Sequence, residues 1–94
     1  MPAYWIAHVR VTDPEAYGRY AALATGAIEG QGGRFLARSG RDVQREGNDR
    51  ARNVLVEFPS LEAAEACYRS PEYQAALAHA KGAAERDLVI VEGL

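Results

Sequence analysis

With 94 residues, 26% of them charged and 48% hydrophobic, the chain is long enough for a single domain, residues 1–94, with one modest core. A formal net charge of -2, with basic residues scattered among acids, argues against a nucleic-acid groove or an anionic membrane surface, both of which need concentrated positive charge. A single cysteine, Cys67, excludes an internal disulfide framework, and the absence of a signal-like start or an apolar run of transmembrane length leads us to expect a cytoplasmic protein.

Ala3 to Val11 alternates as a strand, with Trp5, Ala7, Val9 and Val11 on an apolar face and Tyr4, Ile6, His8 and Arg10 on a mixed one. Asp13 offers an N-cap oxygen and Pro14 suits a first helical position, so a helix is expected from Pro14 to Glu29. Its buried stripe is Tyr17, Tyr20, Ala21, Ala24, Ala27 and Ile28, and Gly30, Gly32 and Gly33 stop it. Arg34 to Arg38 reads as a second strand, with Phe35 and Ala37 on the apolar side and Arg34, Leu36 and Arg38 on the other.

Ser39 to Arg52 is polar, and it predicts an exposed hairpin arm with Asp42 to Arg45 extending the second strand and Gly47, Asn48 and Asp49 at its tip. Asn53 to Phe58 is a third strand, with Val54, Val56 and Phe58 opposing Leu55 and Glu57, and Pro59 ends it. Ser60 caps a helix that runs to Arg69, and the Ser70-Pro71 pair opens another holding Tyr73, Ala76, Leu77 and Ala80 inward. Gly82 ends that helix, and Leu88 to Glu92 is the last strand.

Strand, helix, strand, strand, helix, strand is the order of the ferredoxin-like α+β arrangement, a four-stranded antiparallel sheet with its helices on one face. The uncovered face then carries Ile6 and Leu36 among His8, Arg10, Arg34, Arg38 and Glu57. Such a face is too apolar for free exposure and too charged for a dry core, which predicts a homodimer with the two sheets face to face. The alternative is a monomer whose sheet keeps one wet side.

The segments YWIAHVRVTDPEAYGRY, GGRFLARSG, VLVEFPSLEAAEACYRSPEYQAAL and DLVIVEG resemble the family called domain of unknown function 1330, over Tyr4 to Gly93. The resemblance implies a ferredoxin-like domain of the dimeric α/β-barrel superfamily, which includes cofactor-free monooxygenases and lactone isomerases. It supplies no established reaction. It also implies arginine in other members at the position of His8 and near Ala80, so that anion binding here would fall to other groups such as Lys81 or His79.

His8 is the candidate catalytic residue, a titratable imidazole on the mixed face among Arg10, Arg34, Arg38 and Glu57. Arg34 and Arg38, expected to point the same way, are candidates for holding a carboxylate or phosphate. Tyr17, Tyr68 and Tyr73, together with Trp5 and Phe35, outline a possible pocket between sheet and helices for a flat apolar ligand. Cys67 lacks a CxxC partner, and no local nucleotide, zinc-hydrolase or acyl-transfer signature is present, so neither cofactor nor metal is expected. Two readings follow: a homodimer binding a small aromatic or anionic metabolite, with isomerase- or monooxygenase-type chemistry, and a non-enzymatic dimeric module whose polar sheet face is only an interface.

Overall fold

The alternation of the first segment is that of a strand covered on one side only. In the computed structural model, which describes residues 1–94, Ala3, Trp5, Ala7 and Val9 of β1 (Ala3–Val11) are buried, while Ile6 and Arg10 on the alternate face are exposed. Helix α1 (Pro14–Gly30) follows, then β2 (Arg34–Arg38), β3 (Arg52–Phe58), α2 (Leu61–Arg69), α3 (Pro71–Ala80) and β4 (Ala84–Glu92). The sheet order is β2-β3-β1-β4 and every pairing is antiparallel, so the fold is the ferredoxin-like one.

Local chemistry sets the helix ends. Asp13 accepts from the Ala16 amide at 3.3 Å and Ser60 from the Ala63 amide at 3.0 Å, each satisfying a donor with no helical partner. Ser70 serves two helices at once: its hydroxyl donates to the Cys67 carbonyl at 2.7 Å and accepts from the Tyr73 amide at 3.2 Å. Pro71 cannot continue the α2 ladder, so the chain breaks there and restarts as α3. At the exit of α1 the backbone closes tightly, since a Cβ on Gly33 would stand 2.5 Å from the Ile28 side chain and 2.9 Å from Phe58.

The core between helices and sheet is built around Trp5, whose ring lies 5.0 Å from Tyr73, 5.7 Å from Phe58 and 5.8 Å from Tyr68. The helices leave the other face of the sheet open, and Ile6, Val89 and Val91 are exposed there. No helix is long and apolar enough to cross a membrane.

Three details differ from the sequence-based expectation. First, β2 carries a bulge: Phe35 pairs with Val56 and Ala37 with Leu55, leaving Leu36 as the extra residue. Beyond it the faces exchange, so that Ala37 joins the open side and Arg38, opposite Val54, joins the helix side. Second, Asp42 to Arg45 does not extend β2, because Ser39 turns the chain with a left-handed φ of 56° and Val43, alone in a polar run, has no face to bury. Third, β4 begins at Ala84, pairing with Val11, well before Leu88.

Candidate functional site

Arg52 of β3 and Arg86 of β4 both stand opposite Val9, one on each side of β1. Val9 is fully buried beneath the helices, so both side chains leave the sheet on that side. The bulge delivers a third cation: Arg38, opposite Val54, reaches under α1 and donates to the Thr25 hydroxyl at 3.2 Å. The three arginines rim one cleft between α1 and the sheet, whose inner wall is Trp5, Ile28, Phe35 and Val54. Space exists there because the opposed positions Ala7, Ala21 and Ala24 carry only methyl groups. The cleft is narrow, with a cavity volume of about 30 Å³, and opens to solvent at its mouth.

The charge at this mouth is uncompensated. Carboxylates pair with Arg10, Arg19, Arg34, Arg50 and Arg69, but none pairs with Arg38, Arg52 or Arg86. Aromatic faces take part of the load, with the Arg38 guanidinium 4.5 Å from the Phe35 ring, Arg52 5.4 Å from Tyr17 and Arg86 4.7 Å from Tyr20. The Nε–H groups of Arg52 and Arg86 are buried without an acceptor. Clustered guanidiniums with unmet donors beside flat apolar walls have the chemistry that pairs with planar anions.

Behind the arginines lies a phenol pair. The Tyr20 and Tyr73 hydroxyls are 2.7 Å apart, and Arg86 Nη2 donates to both, at 2.9 and 3.3 Å. Burial raises both phenols above the ordinary tyrosine value, and although burial opposes it, the phenol oxygens hold the Arg86 guanidinium still more firmly protonated. Cys67, fully buried, has its thiol pushed up to about 11 by desolvation and is not a ready nucleophile.

His8 faces the other way. Its Nδ1 lies 2.6 Å from Asn53 Oδ1 and its Nε2 3.0 Å from the Asn48 carbonyl. The Asn53 amide nitrogen donates to Asp42 and to the Arg50 carbonyl, so its oxygen is the atom turned to the ring. Two acceptors favour the doubly protonated imidazolium, which raises the His8 pKa: the Asn53 contact contributes most, then Asn48. The same loop is tied down by Arg10, which donates to the Asp49 carbonyl at 3.0 Å, and by Arg50, paired with Asp87 at 2.8 Å.

The residues expected from sequence therefore separate. Arg38 and Tyr17 line the cleft with Trp5 and Phe35. Tyr73 stands behind it, linked through Tyr20, and Tyr68 packs against Trp5 and Tyr73 away from it. Arg34 lies on the open face, ion-paired with Glu57 at 2.9 Å. The shared direction expected for Arg34 and Arg38 is thus corrected: the bulge at Leu36 sends them to opposite faces. Nor do His8 and Arg38 form one centre, since the sheet lies between them.

Arg52, Arg86 and the hydroxyl of Tyr20 were not among the expected site residues. The sequence pattern places Arg52 in the exposed arm and Tyr20 in the core. Arg86 could have been found by carrying the alternation of Leu88 and Ile90 back by one step, since all three share the helix face.

Comparison with known proteins places the fold. A protein of unknown function from Rhodopseudomonas palustris superposes with a TM-score of 0.80 at 22% identity, over 99% of this chain and 82% of that one. SnoaB, a cofactor-independent oxygenase from Streptomyces nogalater, gives a TM-score of 0.67 at 12% identity, over 99% and 93%. A dimeric ferredoxin-like protein of unknown function from Jannaschia gives 0.71 at 16%, over 99% and 100%. Among curated proteins none matches. The profile that fits residues 2–94, nearly the whole chain, is that of the domain of unknown function DUF1330, and the chain belongs to that family.

Proposed function

We propose that the protein is a homodimer that binds a small planar anion, an aromatic carboxylate or phenolate, in the cleft beneath α1. The observation that carries this reading is the cleft itself, in which Arg38, Arg52 and Arg86 converge without a carboxylate on a wall formed by Trp5 and Phe35. Oxygenation of an electron-rich aromatic without a cofactor, or isomerisation through an enolate, fits a site that stabilises negative charge on oxygen, and SnoaB is a cofactor-independent oxygenase of the same fold. The homodimer reading rests on Ile6, Val89 and Val91, exposed together on the uncovered sheet face, and on the dimeric Jannaschia protein. His8 takes the role of holding the arm between β2 and β3 on that face, and Arg34 with Glu57 supplies polar contacts beside it.

Trp5 is the only tryptophan and lines the cleft, so its fluorescence reports occupancy. Titration with benzoate is expected to saturate, while the neutral isostere benzamide binds at least tenfold more weakly. Equal binding of the two, or none by either, would overturn the reading. In that event the non-enzymatic dimeric module is the better account.

A further inference from the structure

The reading of the cleft as a binding site leaves open which group meets the ligand's oxygen. A count of protons at the phenol pair answers this. Tyr20 and Tyr73 own two hydroxyl protons between them, and Arg86 can only donate. One phenolic proton fills the 2.7 Å contact between the two oxygens. The other has no acceptor among the protein's own atoms, because the only further neighbour of either oxygen is the Arg86 guanidinium.

The two possible arrangements are not equivalent. If Tyr20 donates to Tyr73, the unmatched proton sits on a residue of zero exposure, enclosed by Trp5 at 5.0 Å and Tyr68 at 5.4 Å, and the full desolvation penalty of a hydroxyl is incurred. If Tyr73 donates to Tyr20, the unmatched proton sits on the one phenol of the pair that lines the cleft, where an occupant can accept it. Access to the cleft, which Tyr20 lines and Tyr73 does not, favours the second arrangement once a ligand is bound. Burial keeps Tyr20 neutral, a donor and not a base.

We propose that Tyr20 is the proton-bearing contact of this cleft, that its hydroxyl donates to an oxyanion of the bound ligand, and that Tyr73 and Arg86 act as its positioning residues. The substrate class narrows accordingly, to compounds that carry or develop negative charge on oxygen next to a flat ring. Each donor in the Tyr73 to Tyr20 to ligand chain polarises the next, and the fixed charge of Arg86 strengthens donation from Tyr20.

The proposal rests on the cleft reading, and 4-nitrophenol separates the two, because its colour reports its ionisation directly. Bound to the wild-type protein, its ionisation midpoint is expected to fall by about one pH unit or more, as for an acid placed beside a guanidinium and a hydroxyl donor. Tyr20→Phe should remove at least half of that fall. Tyr73→Phe should keep most of it, since Tyr20 still holds its proton. Equal losses in the two variants, or none in Tyr20→Phe, overturn the proposal and leave the cleft reading standing. So does failure of 4-nitrophenol to bind where benzoate binds. Failure of both probes overturns the cleft reading itself. Should Tyr20→Phe not fold, replacing the tyrosines with the more acidic 3-fluorotyrosine should deepen the fall, and an unchanged midpoint overturns the proposal.

Discussion

Replacing Arg52 with methionine separates a binding arginine from a structural one. In the native protein its Nη1 donates to the Ser39 hydroxyl at 2.7 Å, its guanidinium lies 5.4 Å from the Tyr17 ring, and its Nε–H is buried without an acceptor. The substitution loses a charge-assisted hydrogen bond of about 1.5 kcal/mol. It also loses a cation–π contact of about 0.5 to 1 kcal/mol. Against this, it removes an unmet buried donor, a penalty of about 1 to 3 kcal/mol. Repulsion is relieved as well, because Arg52 and Arg86 flank β1 two strand spacings apart, about 10 Å. At an effective dielectric constant of about 20, charges that far apart repel by about 1.7 kcal/mol, less after solvent screening.

The terms nearly cancel, with the balance on the side of stability. Arg52→Met should therefore unfold at the same temperature as wild type or up to about 10 °C higher, since 1 kcal/mol moves a domain of this size by about 4 to 8 °C. Thermal unfolding must be followed at fixed protomer concentration, because association also shifts the midpoint. Benzoate affinity should fall at least tenfold, the equivalent of about 1.4 kcal/mol or more. A variant destabilised by more than about 2 kcal/mol with unchanged benzoate affinity would refute the reasoning, because Arg52 would then be a structural residue of the kind whose removal leaves a partner stranded.

Other outcomes test the remaining parts of the structure. Val89→Lys, on the exposed β4 side of the open face, should convert the proposed dimer to a 10.2 kDa species in sedimentation at micromolar concentration without loss of helicity; a wild-type protein already at that mass would overturn the dimer proposal. Gly33→Ala should destabilise by about 1 to 3 kcal/mol in denaturant titration, because the new methyl group meets both the Ile28 carbonyl and the Phe58 ring, and a neutral result would mean that the turn gives way freely. His8 should titrate above the ordinary histidine value by NMR, and Asn53→Ala should bring it down. Because its folded pKa is raised, the stability that its two contacts contribute is complete below the unfolded value and is lost as pH rises through the folded one, so the thermal unfolding midpoint should fall on that rise. A His8 midpoint at or below the ordinary value would dismiss the two-acceptor geometry.

Much of this fold is written in local chemistry, which is why it can be read from the sequence. Asp13-Pro14 and Ser70-Pro71 mark helix starts because a short oxygen side chain and a missing amide proton act within one turn, whatever the rest of the chain does. Trp5, Ala7 and Val9 disclose the covered face of β1 because strand alternation has a fixed period. The site is legible only in part, and the reason is the same in each case. Arg38, Arg52 and Arg86 are brought together by strand pairing, and pairing depends on residues far away in sequence.

The bulge at Leu36 shows how that dependence creates a site. In a regular ladder Arg38 would fall opposite Asn53 on the open face, near His8, with Ala37 left to fill the space beside Val54. A single extra residue in β2 exchanges the two, and the guanidinium lies against Phe35 and donates to Thr25 beneath α1. No periodic reading of RFLAR can anticipate that step, because both registers place apolar residues on both sides. What decides between them is the alanine-lined space under α1, which admits an arginine stem over Phe35 while its charged end remains at the mouth with Arg52. The cleft and the bulge therefore require each other. The empty volume left by Ala7, Ala21 and Ala24 makes room for Arg38, and Arg38 adds a positive charge to the rim of that volume.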